Sequence, residues 1–218
     1  MSDIVLYAQD ISPPCRTVFM VAKEIGLNLK IHEIRLEKLE HLTDEFLQIN
    51  SLHTIPVLNE NGFVLTDSHA IVCYLIDKYA KDDSLYPKDL QKRALVNQYL
   101  MLEAATIFPP AKSLIRPILF GEETSISEGK MDACRETYWH LNELLEGKKW
   151  LVGDSYTVAD ISCVTVVTSG SILMNMDLYP NVKAWIKRCE QEMPSYDECN
   201  VPGLKKLFTF LSVALPTS

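Results

Sequence analysis

Up to about residue 79 the apolar residues of this chain switch between a strand-like and a helix-like period, and beyond residue 90 only the helix-like period is found. Ile4-Val5-Leu6-Tyr7 is a continuous apolar run of the kind carried by a strand covered on both faces. Val18, Val21, Ala22 and Ile25 then recur at helical spacing after Ser12, with Gly26 as the C-terminal stop, and Leu27, Leu29 and Ile31 alternate as a second strand. These segments predict a β-α-β unit with two parallel strands. Thr43 is placed to cap a short helix through Ile49; His53 to Leu58 reads as a strand containing Pro56, Asn59 to Gly62 as a turn, and Phe63-Val64-Leu65 as the returning strand of a hairpin. Asp67-Ser68 opens a further helix, with Ile71, Val72, Leu75 and Tyr79 on one face.

The order β-α-β-α-β-β-α resembles that of thioredoxin-like domains. The expected fold is therefore an α/β thioredoxin-like domain over residues 1–80, a charged, proline-ended linker over 81–88, and an all-α domain over 89–218. Helical patterns cover Leu90–Phe120, Ser127–Leu145, Thr157–Gly170, Asn181–Glu192 and Gly203–Leu211, and Thr157-Val158-Ala159-Asp160 has the form of a capping box. Pro109-Pro110 and Pro117 interrupt the first of these, and an interior proline removes a bond and clashes one turn back, so a bend or break is expected near Phe108. The apolar stretch Ile161–Met176 contains several hydroxyl residues and is short for a membrane span, which makes it a buried core helix.

Charge and cysteines narrow the function. With 29 acidic against 21 basic residues and a formal charge of -8, the chain lacks the electrostatic footprint of a nucleic-acid or anionic-membrane binder. Met1-Ser2-Asp3-Ile4 has no signal-peptide character, so a cytoplasmic location is expected. The six cysteines are scattered, without the C-x-x-C spacing of a zinc or redox site, and are expected to be reduced and mostly buried, with no metal bound.

Ser12-Pro13-Pro14-Cys15-Arg16 reads as a helix N-terminus, with Ser as N-cap and proline where its missing N–H costs nothing. Redox members of thioredoxin-like folds place a low-pKa cysteine at this point; here it is a serine, whose hydroxyl can either cap the helix or donate to a thiolate brought by a ligand. One hydrogen bond to a charged group is worth about 1.5–3 kcal/mol, enough with the helix dipole to lower a thiol of pKa ~8.5 by about one to two units. Cys15, one turn in, is either a resolving thiol or helix packing. Pro56 inside a strand pattern implies an edge, a bulge or a cis bond, and a cis Ile55-Pro56 bond would turn the Ile55 N–H and C=O outward for an added peptide strand. Asp67-Ser68 can cap its helix or hold a ligand's amino and carboxylate groups.

Taken together, Ser12-Pro13-Pro14-Cys15-Arg16, His53-Thr54-Ile55-Pro56-Val57, Asp67-Ser68-His69-Ala70-Ile71 and Thr157-Val158-Ala159-Asp160 resemble the cytosolic glutathione transferases over nearly the whole chain, the insect epsilon class first and the delta class next. The resemblance implies that Ser12 hydrogen-bonds the thiolate of glutathione as co-substrate and that Ile55, before Pro56, pairs with its cysteinyl unit. It also implies that Asp67 and Ser68 bind the γ-glutamyl end, and that His41 and His53, with Thr54 beside them, lie near the glycyl carboxylate. Without the family, both histidines read as solvent-facing loop residues. Asp67 stands where many relatives carry Glu, and Lys112, a further glutathione contact, stands where epsilon relatives often carry Arg, which an ammonium cannot replace in a bidentate clamp.

The resemblance places the electrophile between the domains. Phe108, Ala111, Ile115, Leu119 and Phe120 would lie on one side, Leu207, Phe208 and Leu211 opposite, and Ile11 and Leu36 below. It implies a homodimer, with His69 a candidate interface residue, and a detoxifying enzyme that conjugates glutathione to hydrophobic electrophiles, with dehydrohalogenation and peroxide reduction as related outcomes. Two other functions fit the same fold: a non-catalytic carrier of hydrophobic ligands or hormones, and a biosynthetic transferase or isomerase for an endogenous lipid or steroid.

Overall fold

Proline and glycine bound the first helix as the sequence requires. In the computed structural model, which describes residues 4–215, β1 (Ile4–Ala8) leads to α1 (Pro13–Glu24), with Ser12 at the N-cap and Gly26 at a φ of 69° just past the end. The start Met1-Ser2-Asp3, which entered the cytoplasmic expectation, lies outside the described residues. β2 (Lys30–Glu33) runs parallel to β1, so the strand begins after Leu27 and Leu29 rather than with them. Two short 3₁₀ turns, Leu36–Lys38 and Glu40–Leu42, precede α2 (Asp44–Ile49), where Thr43 Oγ1 accepts the Phe46 N–H at 3.3 Å.

The next strand is shorter than the sequence pattern suggests. β3 (Val57–Glu60) starts only after Pro56, because Pro56 has no N–H for a ladder and His53 turns the chain at a φ of 47°. β4 (Phe63–Leu65) pairs antiparallel with β3, and α3 (Ser68–Tyr79) follows. The mixed sheet has the order β2-β1-β3-β4, antiparallel except between β1 and β2, which is the thioredoxin-like arrangement. Leu6 and Leu58 of the sheet and Val18, Ile71 and Leu75 of the covering helices are fully buried.

Residues 80–89 form no helix or strand, yet they are fastened to the helical domain: Leu85 and Tyr86 are buried, and the Leu85 carbonyl accepts the Val158 N–H at 2.9 Å. The helices are α4 (Leu90–Leu102), α5 (Phe108–Leu119), α6 (Glu128–Leu144), α7 (Val158–Ser171), α8 (Pro180–Glu192), the single turn α9 (Tyr196–Cys199) and α10 (Val201–Ala214). α7 is the axis of the domain, buried from Val158 to Gly170. Its capping box forms: Asp160 Oδ2 accepts the Thr157 N–H, while Oδ1 takes the Leu151 N–H and the Trp185 indole N–H, all at 3.0 Å. Among the described residues no helix is long and apolar enough to cross a membrane.

The prolines after α4 are accommodated without a break. Glu103–Ile107 is a π-helical segment joining α4 to α5, and the backbone stays right-handed through it. Pro109 and Pro110 sit in the first turn of α5, and the Thr106 carbonyl that an N–H at 110 would have bonded is approached instead by Thr137 Oγ1 at 3.5 Å. Pro117 lies inside α5, which ends two residues later.

Candidate active site

The strand registers bring the sequence motifs to one end of the sheet. Tyr7 pairs with Val57, Leu58 with Leu65 and Ala8 with Glu33. The loop carrying Ser12, the start of β3 after Ile55-Pro56, the exit of β4 toward Asp67-Ser68 and the exit of β2 toward His41 therefore converge there. Ser12 is half-buried, its N–H donates to the Gln9 carbonyl, and its own carbonyl takes the N–H groups of Cys15 and Arg16, all at 3.1 Å. Its side chain makes no capping bond to the helix amides, and its hydroxyl stands at the helix N-terminus beside the Cys15 thiol. Cys15 is sealed in the core, and burial pushes its thiol up to about 11 even with the Ser12 hydroxyl beside it, so it presents no thiolate at neutral pH. All six cysteines are free thiols.

Ile55-Pro56 is a cis peptide bond, and the β3 ladder begins at Val57, leaving the Ile55 N–H and C=O outside it. Asn50 Nδ2 fastens this turn by donating to the Thr54 carbonyl at 2.9 Å and to its hydroxyl at 3.0 Å. His53 is exposed, as expected, but His41 is not: it is 6% exposed, with its ring 6.4 Å from that of His53 and 5.5 Å from that of Phe120. The 3₁₀ turn folds it inward against Phe120 rather than out to solvent. Burial, with His53 and Arg116 nearby, lowers its pKa, and its buried Nδ1 has no hydrogen-bond partner among the described residues, which suits an incoming anionic or hydrogen-bonding group.

Arg116, on the same helix as Lys112, lies near His41. Phe108, Lys112, Arg116 and Phe120 form an i, i+4 stripe along α5; Lys112 Nζ lies 5.7 Å from the Phe108 ring centre, whereas the Arg116 guanidinium lies 4.9 Å from that of Phe120 and acts on His41. Arg116 also donates to both carboxylate oxygens of Glu122 at 3.0 Å. The stripe was visible in the spacing, but nothing in the sequence places His41 against its far end.

Asp67 is the N-cap of α3, its Oδ1 accepting the Ala70 N–H at 3.0 Å, while most of the carboxylate stays exposed; Ser68 beside it is buried. His69, expected at an interface, turns into the chain instead. Its Nε2 lies 2.6 Å from Glu103 Oε2 and 3.0 Å from Ser162 Oγ, and both His69 and Glu103 are buried. Burial works against the imidazolium, but the hydrogen bond and charge of Glu103, aided by Asp67, outweigh it and raise the His69 pKa.

The structure divides the ten expected pocket residues. Ile11, Ile115, Leu207 and Leu211 meet around Ile118 in one apolar cluster. Leu207, Leu211 and Ala111 are almost wholly buried and serve as core; Leu36, Phe108, Leu119 and Phe120 are half-buried. Phe208 does not join them. One residue on from Leu207 turns it about 100° around α10, where it is 59% exposed and borders a separate groove with Thr168 of α7, Ile172 just past the end of α7 and Ile186 of α8. Among the described residues, no group of three or more His, Cys, Asp or Glu is placed to hold a metal ion.

Comparison with known proteins agrees with this geometry. The glutathione S-transferase N-terminal domain model matches residues 6–83, and the glutathione S-transferase C-terminal domain model matches residues 71–192. Glutathione S-transferase 1 of Manduca sexta is 37% identical over 202 residues, covering 91% of this chain and 92% of that protein. An epsilon-class glutathione S-transferase from the housefly Musca domestica superposes with a TM-score of 0.90 at 39% identity, covering 97% of this chain and 98% of that one. A delta-class glutathione transferase from Nilaparvata lugens does so with a TM-score of 0.89 at 35% identity, covering 97% and 99%. With both domain models matched in order and similarity running through the sheet and the helices alike, the chain belongs to the glutathione S-transferase family and is a glutathione transferase enzyme.

Proposed function

We propose that Ser12 stabilises the thiolate of glutathione for attack on hydrophobic electrophiles. The observation that supports this is a hydroxyl at the N-terminus of a 12-residue helix that makes no capping bond. Donating that O–H to sulfur favours the ionised form, and the amide dipoles of α1 act in the same sense. The thiolate then forms a carbon–sulfur bond and displaces a leaving group such as halide.

In the same proposal the exposed backbone edge of Ile55 before Pro56 pairs with the cysteinyl unit, and Asp67 and Ser68 hold the γ-glutamyl end. His41, His53 and Thr54 face the glycyl carboxylate, with Arg116 adding charge beside Lys112. Residues 1–80 thus bind glutathione, 81–88 link, and 89–218 shape the apolar side, where Ile11, Ile115 and the half-buried Leu36, Phe108, Leu119 and Phe120 border the electrophile. On the joint resemblance of its Ser12-Pro13-Pro14-Cys15-Arg16, His53-Thr54-Ile55-Pro56-Val57, Asp67-Ser68-His69-Ala70-Ile71 and Thr157-Val158-Ala159-Asp160 motifs we place the chain in the epsilon class, as a cytoplasmic homodimer in detoxification.

Conjugation of glutathione to a model aryl halide by wild type, Ser12→Ala and Cys15→Ala tests this. Loss of one to two pKa units of thiol activation reduces the thiolate fraction at neutral pH about tenfold or more, so Ser12→Ala falls by that factor in kcat/KM and Cys15→Ala stays near wild type. Full activity in Ser12→Ala, or loss in Cys15→Ala alone, overturns the assignment. A wild type that binds glutathione without turnover points to the carrier instead.

A further inference from the structure

The two residues preceding Ser12 are gripped from the other end of the chain. Arg16 is fully buried and donates to neutral acceptors among the described residues: one terminal nitrogen reaches the carbonyls of Asp10 at 3.0 Å and Ile11 at 2.9 Å, and Nε reaches Asn200 Oδ1 at 2.8 Å. The other terminal nitrogen reaches the Thr165 carbonyl at 3.0 Å and the Ser169 hydroxyl on α7. Asn200 is the N-cap of α10 and is itself fixed, its Nδ2 donating to Thr168 Oγ1 at 3.3 Å.

One turn on, α10 passes so close that a Cβ at Gly203 would stand 2.0 Å from the Asp10 carbonyl oxygen and 2.9 Å from Arg16 Cδ. Only glycine allows that approach. Lys206 then reaches back to Asp10 Oδ2 at 2.7 Å. Asn200, Gly203 and Lys206 recur every three residues on one face of α10, and their contacts converge on Asp10 and on the guanidinium that holds Asp10 and Ile11. The next residue on that helix, Leu207, belongs to the apolar cluster against which Ile11 packs.

A hydrogen bond to sulfur depends on where the hydroxyl stands, and a displacement of about 1 Å can cost on the order of a hundredfold in rate. We propose that Asn200, Gly203 and Lys206, at the start of α10, are positioning residues that set the Ser12 hydroxyl through Asp10, Ile11 and Arg16. This rests on the reading of Ser12 as the group that stabilises the thiolate. It makes the helix bordering the apolar cluster the part that holds the thiol-activating turn, so movement of α10 by a bulky electrophile is felt at Ser12.

The test is the pH titration of thiolate absorbance for glutathione bound to wild type, Ser12→Ala, Gly203→Ala, Lys206→Met and Lys206→Arg, with circular dichroism and thermal melts to establish folding. Gly203→Ala raises the apparent thiol pKa by about one unit, an almost tenfold loss of thiolate below the pKa, with glutathione affinity within about twofold of wild type. Lys206→Met, which removes a partly exposed pair, lowers the thiolate fraction about twofold, and Lys206→Arg restores it. A merely structural role would lower the melting temperature without moving the titration. A folded Gly203→Ala that titrates as wild type overturns the proposal, and if that variant does not fold, a Lys206→Met that titrates as wild type does so. Ser12→Ala titrating as wild type would remove the Ser12 reading itself, a result distinguishable from failure of the α10 variants alone.

Discussion

Glu103→Gln keeps the shape of the buried His69–Glu103 contact and removes its charge. The two groups are 2.6 Å apart, with 8% and 3% of their surfaces exposed. A hydrogen bond to a charged group contributes about 1.5–3 kcal/mol and a neutral one about 0.5–1.5, so the substitution destabilises by about 1–2 kcal/mol when His69 is protonated. For a chain of this size that is roughly 2–8 °C in Tm. The pH dependence follows from the sign of the shift. The His69 pKa is raised in the folded state, so its contribution is fully present below its unfolded value, about 6.5, and is lost as pH rises through the folded pKa. In Glu103→Gln burial acts with little opposition, since the remaining charge, Asp67, is largely exposed and 3.8 Å from Nδ1; the His69 pKa then falls and the slope reverses. Urea unfolding followed by circular dichroism between about pH 5.5 and 8.5, at fixed protein concentration, reads both quantities. Parallel stability curves for wild type and variant across that range would refute the reasoning.

Two further outcomes follow from the site and the core. If the unpartnered Nδ1 of His41 receives a carboxylate, an imidazole whose pKa is lowered by burial takes up a proton on binding, so glutathione affinity rises as pH falls through the histidine range; His41→Phe loses this dependence and binds about tenfold more weakly. Calorimetry in buffers of different ionisation heat checks it, and proton-neutral binding by wild type counts against it. Leu207→Ala costs about 2–5 kcal/mol as a buried truncation, whereas the exposed Phe208→Ser stays within about 0.5 kcal/mol and leaves the KM for an aryl halide unchanged; a raised KM in the latter would return Phe208 to the electrophile site.

That Ser12, Ile55-Pro56 and Asp67-Ser68 share one site was implied by the family resemblance, whereas the element order was legible in the sequence because each element depends on local chemistry: a proline at a helix start, a glycine past its end, a capping carboxylate. The burial of His41 was not, since it depends on how the C-terminal end of α5 packs over a 3₁₀ turn about 80 residues away in sequence. His69 was misread for the same reason, its partner lying in the π segment after α4. The prolines signalled a disturbed helix, but the form of the relief depends on Thr137 and on packing against α6 that no local pattern records. The grip of α10 on Asp10 left a trace only in Gly203, a glycine whose need lies in a neighbour rather than in its own backbone angles.

The π segment makes the long α4–α5 rod unequally sensitive to its own length. Val96, Tyr99, Leu100, Glu103, Ile107, Ala111, Leu114 and Ile118 are buried along it, and the segment Glu103–Ile107 closes its turns i→i+5 where the α-helix on either side closes them i→i+4. Because a π turn already takes up an extra residue, deleting one between Glu103 and Ile107 would let the segment close as ordinary α-helix with Arg116 and Phe120 still at His41, whereas one inserted in α5 before Arg116 would turn both by about 100°. For this helix, phase is inherited along with sequence.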